Sequence, residues 1–181
     1  NGGGIFLKGA GFLAGAGAGA GHSASSPYYG PAESGGGYGG IGGSSITSAA
    51  GGNSYGSLLQ PTDFGSGGGV SKSTASGAGG GELRFTVGST LQVDGLITTD
   101  GGDAVLEGGG GGSGGSLWLT VGKLAGRGVI SANGGDGDYW GSSAAIGFAP
   151  RRFEAKRLAD ESILIADARL QQADLTLDTI R

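Results

Sequence analysis

Gly80-Gly81-Glu82-Leu83-Arg84-Phe85-Thr86-Val87-Gly88 and Gly114-Gly115-Ser116-Leu117-Trp118-Leu119-Thr120-Val121-Gly122 are two copies of one pattern, 34 residues apart. Further on, Leu91-Gln92-Val93-Asp94-Gly95-Leu96-Ile97-Thr98-Thr99-Asp100-Gly101-Gly102-Asp103 aligns with the stretch from Leu124 to Asp136 at an offset of 33. One residue is therefore lost between the two blocks. Leu83, Phe85 and Val87 alternate with Arg84 and Thr86, and Leu117, Leu119 and Val121 alternate with Trp118 and Thr120. That period of two is the mark of a strand with one buried face. A second short strand follows in each copy, with Asp94-Gly95 breaking the run in the first. Gly3-Gly4-Ile5-Phe6-Leu7-Lys8-Gly9 reads as a third, degenerate copy of the opening block.

A unit of this size holds too few strands to bury a core alone, so copies must stack and cover one another. The expected fold is all-β, a right-handed parallel β-helix, with glycine at its corners where adjacent coils approach closely. The runs "GSGGSLWLTVGKLAGRGVISANGGDG" and "GGGELRFTVGSTLQVDGLITTDGG" resemble the glycine-rich β-helical repeat region of large secreted and surface proteins of bacteria and eukaryotic microbes. The resemblance spans residues 1–147 and implies an extracellular structural or adhesin-like role. It implies no consistent set of catalytic residues.

Composition narrows the function classes. Of 181 residues, 47 are glycine, with no cysteine, no methionine and one histidine, His22. A disulfide scaffold, a thiolate metal site and a cysteine nucleophile are thereby excluded. The glycines do not recur at every third place, which excludes collagen. No apolar run is long enough for a membrane-spanning helix. With 11 basic and 15 acidic residues the formal charge is −4, so no basic field exists to hold a nucleic acid. Only 14% of residues are charged, against about a quarter in an ordinary domain, which suits a fibre or wall component.

Two regions follow. Residues 1–147 form the glycine-rich β-helical part, with repeats at 80–103 and 114–136 and a Gly/Ser/Tyr-rich insertion at 14–78. Residues 148–181 contain no glycine and hold 12 of the 26 charged residues. Within the insertion, the alternating Gly-Ala run at 15–21 fits a silk-like sheet or a flexible loop, while the wider glycine-rich stretches also fit laterally bonded polyproline-type helices. Tyr38, Tyr55 and Phe64, set among glycines, argue for an ordered excursion rather than a linker. The charged tail is expected to cap the stack as a helix and/or strand. Good helix formers run from Arg152 to Gln172, yet Ile163 and Ile165 alternate, as do Leu175, Leu177 and Thr179, which favours short strands; the expectation is a helix to about Gln172 followed by a strand.

The candidate sites are few. Trp118, Tyr139 and Trp140 are candidate exposed aromatics for stacking on sugar rings or on a neighbouring protomer. Asp103, Asp136 and Asp138 are candidate calcium ligands, since Asp103 and Asp136 occupy equivalent places in the repeat. The stretch from Asn133 to Asp138 is similar to the calcium-binding nonapeptide of parallel β-rolls, with Tyr139 where that pattern has aspartate. The competing reading is turn residues bonding backbone. Lys123 and Arg127 beside Asp136 and Asp138 are what a polysaccharide lyase would use, although nothing in their spacing demands it. Thr98-Thr99 against Ser131-Ala132 is a short ladder of the ice-binding kind. The expectation is therefore a non-enzymatic extracellular or cell-surface structural protein with no cofactor, forming homopolymers or joining other fibre and surface proteins. A surface adhesin that binds glycans is the alternative.

Overall fold

The computed structural model describes residues 3–28, 30–57, 59–70 and 75–138, together with the backbone of 153–157 and 162–167. Nine strands are described: β1 (Gly4–Phe6), β2 (Ser23–Ser26), β3 (Gly30–Glu33), β4 (Glu82–Gln92), β5 (Leu96–Thr98), β6 (Ser116–Ala125), β7 (Val129–Ser131), β8 (Phe153–Arg157) and β9 (Ser162–Asp167).

The two repeat copies lie against each other in parallel. Glu82 through Val87 pair with Ser116 through Val121, and Thr90, Leu91 and Gln92 pair with Lys123, Leu124 and Ala125. The change of offset falls at an irregularity between Val87 and Thr90, where β4 carries one residue more than β6. The short strands follow suit, with Leu96, Ile97 and Thr98 beside Val129, Ile130 and Ser131. Each copy is thus a long strand, a three-residue turn and a short strand. At the turn of the second copy Gly126 has φ of 113°, and a β-carbon there would meet the Val93 carbonyl. Side chains from the long and short strands meet in one core. Val93, Ile97, Leu117, Leu119, Val121 and Ile130 are buried, and Ile5, Leu83, Phe85, Val87, Leu91 and Leu124 pack against them.

Two expectations need correction. The segment from Gly3 to Gly9 is not a copy of the opening block: Gly4, Ile5 and Phe6 pair in parallel with Leu96, Ile97 and Thr98, so β1 takes the place of a short strand. The sheet order is β1-β5-β7. In the tail, the described parts are strands, not helix. β9 runs antiparallel to β6, with Ile165 opposite Leu117 and Ile163 opposite Leu119, and β8 pairs outside β9. The alternation of Ile163 and Ile165 outweighs helix propensity because β6 offers an unpaired edge of matching period. The second proposed strand of the tail, at Leu175, Leu177 and Thr179, lies outside the described residues.

The glycine-rich stretches form a second kind of structure. Gly65 and Gly68 both donate to the segment 77–80, at the carbonyls of Gly80 (2.9 Å) and Gly77 (3.0 Å). Between them Ser66 donates to Ser113 Oγ (2.7 Å) and Gly67 to the Ala16 carbonyl (3.0 Å). In return, Phe12 and Gly15 donate to the carbonyls of Gly65 (3.0 Å) and Gly68 (2.7 Å). Gly112 and Gly115 likewise both reach the segment 99–102. Partners that recur every three residues, on different neighbours in between, define laterally bonded polyproline-type helices rather than sheet. The insertion is therefore an ordered bundle. Neighbouring backbones approach so closely that a β-carbon on Gly79 would overlap the Gly65 carbonyl, and one on Gly80 the Thr99 carbonyl. Ser34, Ser66 and Ser113 are buried inside it, and their hydroxyls serve as hydrogen-bond partners of neighbouring segments.

Gly79→Ala is expected to cost about 3 kcal/mol or more, because the obstruction is backbone with no rotamer to yield. Gly88→Ala, at a position with nothing within 4 Å of the added carbon, should stay within about 0.5 kcal/mol of the parent. Urea unfolding of the two variants checks the contrast; equal losses would contradict it.

Candidate functional site

The repeat's aspartates act between the two copies. Asp94 Oδ1 accepts from the Arg127 amide (3.3 Å), Asp100 Oδ1 from the Asn133 amide (2.5 Å), and Asp103 Oδ1 from the Asp136 amide (3.0 Å). Each acceptor lies 33 residues before its donor, the repeat offset, so each carboxylate clasps the amide at its own equivalent place in the second copy. Asp100 Oδ2 also accepts from Ser131 Oγ at 3.1 Å. These aspartates bond backbone, but not that of their own turn. The signal that could have found them was the repeat offset itself, which sets Asp94, Asp100 and Asp103 33 residues before Arg127, Asn133 and Asp136.

Of the three proposed calcium ligands, Asp103 is engaged twice over. Beyond its clasp it accepts from Lys8 Nζ at 2.5 Å, an exposed pair that ties the chain after β1 to the end of the first copy. Partial burial pushes the Asp103 carboxyl up, but the Lys8 hydrogen bond, the Asp136 amide and the Lys8 charge outweigh it. The result is a pKa below the ordinary 3.8. Asp136 is exposed, and Asp138 is half-buried with its amide donating to the Gly109 carbonyl. Among the described residues no group of three or more His, Cys, Asp or Glu converges as a metal site would require. Of the three expected ligands, Asp103 bonds between the copies through its carboxylate, whereas Asp136 and Asp138 bond through their backbone amides.

The aromatic expectations divide. Trp118 stands beside Arg84 in the ladder, and the Arg84 guanidinium lies 4.3 Å from the centre of its ring. One face of the indole is therefore taken by a cation–π contact, and the residue is half-buried. Tyr139 and Trp140 lie outside the described residues. Sequence reasoning missed a tyrosine pair that joins the bundle to the ladder. Tyr38 and Tyr55 meet edge-to-face with centroids 4.9 Å apart, and Tyr38 Oη shares a 2.6 Å hydrogen bond with Ser116 Oγ at the start of β6. Ser116 donates onward to the Asp63 carbonyl, and Tyr55 donates to the Phe64 carbonyl. Burial pushes the Tyr38 hydroxyl up to about 12 despite the Ser116 bond, and burial raises Tyr55 as well. His22 is exposed, with Nδ1 3.0 Å from the Ala50 carbonyl, an ordinary surface role.

A different group of apolar side chains is exposed. Tyr28, in the turn between β2 and β3, is 90% exposed, Val105 is 73% exposed, and Ile46 and Leu106 are also open to solvent. Their loops are bound to one another: Thr47 Oγ1 donates to the carbonyls of Ala24 and Ala32, and the Glu33 amide donates to the Gly108 carbonyl. The segment 109–115 separates this loop cluster from β6, a span of about 20 Å at the polyproline rise of roughly 3.1 Å per residue. Beneath it Glu33 is fully buried, accepting from Ser23 Oγ at 3.2 Å.

No protein-family model matches the chain, and no curated protein or solved structure matches it.

Two outcomes test the clasps. Asp100→Ala should cost about 1–2 kcal/mol in urea unfolding, since two donors lose their acceptor, whereas Asp100→Asn keeps an acceptor and should lose less. The Lys8–Asp103 pair sets a pH dependence. With the folded carboxyl below its unfolded value, its stabilisation is present above pH 4 and lost as pH falls through the lower folded pKa. Thermal melts across that range should show a decline that Lys8→Ala reduces, and that salt weakens because the pair is exposed.

Proposed function

We propose that the chain is an extracellular structural protein, a protomer of a fibre, appendage or surface layer held together by strand stacking and lateral contact. The observation that supports this best is the in-register parallel stacking of the two copies, with carboxylate clasps repeated at the coil offset. A chain built this way offers at the β4 and β1 edges the kind of surface it joins internally. A right-handed β-helical arrangement of the coils is the corresponding fold proposal. The glycine bundle adds a rigid body bonded sideways from segment to segment, and its backbone groups suit further lateral contact. The extracellular assignment draws on composition, namely few charges and abundant glycine and serine.

One arrangement limits the reading. β9 occupies the edge of β6 that β4 leaves free, so stacking at that end of the larger sheet is blocked over Leu117 to Thr120. Growth would then proceed through the open β4 and β1 edges and through lateral contacts. The adhesin reading is favoured by one observation, the hydrogen-bonded loops that bear the exposed Tyr28, Ile46, Val105 and Leu106. Those residues, rather than Trp118, would make the contact surface.

Sedimentation velocity over a concentration series, with electron microscopy of the same material, separates the two. Assembly is expected to give larger species at higher concentration and regular filaments or arrays. Particles that stay monodisperse throughout, and bind glycans, would overturn assembly in favour of adhesion.

A further inference from the structure

We infer that Glu33 holds a hard cation, of the sodium or calcium kind, beneath the turn at Gly108. The inference starts from a buried charge without a counterpart. Glu33, the last residue of β3, is 0% exposed and stands opposite Ser23 in the β2–β3 pair. Its Oε1 accepts from Ser23 Oγ at 3.2 Å, but the buried Oε2 has no hydrogen-bond partner. Among the described residues no ion pair reaches it. Proteins keep a buried carboxylate where it meets an opposite charge or a metal, because its desolvation is otherwise uncompensated. A water molecule would supply a hydrogen bond but no balancing charge.

The surroundings suit a cation. The chain crosses Glu33 at Gly108, whose carbonyl accepts from the Glu33 amide at 2.8 Å. Gly108 has φ of 75°, a left-handed conformation that favours glycine. A β-carbon there would lie 2.9 Å from the Pro31 carbonyl oxygen and 3.7 Å from Glu33 Oε2. The two oxygens therefore border one space, which glycine leaves unfilled. A carboxylate, a carbonyl and the Ser23 hydroxyl are all oxygen donors, the set that hard cations prefer over zinc or copper. One carboxylate among neutral oxygens balances a monovalent ion outright and holds calcium only weakly, since calcium affinity follows ligand charge. Such a seat differs from the multi-carboxylate calcium site expected of the aspartates.

The cation would join the two elements that carry the exposed loop residues. Pro31 and Glu33 lie on the strand after Tyr28, and Gly108 follows Val105 and Leu106. Its work is to hold these loops in one arrangement. The inference does not rest on assembly.

The test follows thermal unfolding of the chelator-treated full chain in choline chloride. Sodium chloride replaces the choline salt in one series and calcium chloride, to about 10 mM, in another, both at constant ionic strength. Binding to the folded state should raise Tm by about 5 °C or more in at least one series, and the series that responds identifies the ion. Glu33→Gln, which keeps the shape and an acceptor for Ser23, should abolish that rise, whereas Asp103→Asn should keep it. A parent Tm that moves in neither series, or an equal rise in Glu33→Gln, would overturn the inference. Should Glu33→Gln fail to fold, carbon-detected NMR of the parent decides. Saturable shifts of the Glu33 carboxyl and the Gly108 amide support the seat, and shifts confined to exposed carboxylates such as Asp136 overturn it.

Discussion

Where the Gly65 carbonyl lies against Gly79, there is no room for a β-carbon, and the same holds at Gly80 and Thr99. This close approach of backbones is the constraint from which the rest of the molecule follows. Polyproline-type segments make no hydrogen bonds within themselves, so they are stable only if neighbours come near enough to satisfy them. Glycine permits that distance, and its cost in chain entropy is offset only when nearly every backbone group finds a partner. The bonds from Gly65, Gly67, Gly68 and Gly69 to three different neighbouring segments meet that requirement. Serine replaces glycine inside the bundle at Ser66 and Ser113, where a hydroxyl can take the place of a backbone partner.

The ladder and the bundle support each other through a few polar links. Segments 77–81 and 109–115 run directly into β4 and β6, so the repeat that aligns the strands also aligns the glycine segments. Tyr38, bonded to Ser116, fixes the insertion to the root of β6. The aspartate clasps add to the backbone bonds that join the first copy to the second at the turns and beyond the short strands. Three of the chain's 15 carboxylates, those of Asp94, Asp100 and Asp103, hold backbone amides of the second copy.

Much of the ladder was legible because its signals are periodic. The alternation of Leu117, Leu119 and Val121, and the change of offset from 34 to 33, correspond to register and bulge residue by residue. The bundle was less legible, since glycine carries no side-chain pattern; only the partners of Gly65 and Gly68, far away in sequence, distinguish polyproline-type packing from silk-like sheet or loop. The tail misled because Glu154, Ala155, Lys156 and Arg157 favour helix locally, while the pairing of β9 with β6 is a tertiary choice. The segment from Gly3 to Gly9 misled because its glycine pair resembles the opening block, whereas Ile5 is specified by its place beside Ile97. Among site residues, sequence placed Asp103 and Asp136 at equivalent positions and the structure links them, but as carboxylate and amide. The contact of Arg84 with Trp118 could be anticipated only once the register was known.

The most direct measurement of the central claim is native-state amide exchange within the bundle. Gly67, Gly68 and Gly69 lie in no helix or strand, and would exchange rapidly if they formed a loop. Lateral bonding requires them to exchange as slowly as Leu119 in the core ladder, in one cooperative unit with it. Exchange of these three glycines near the unprotected rate, while Leu119 stays protected, would contradict the account.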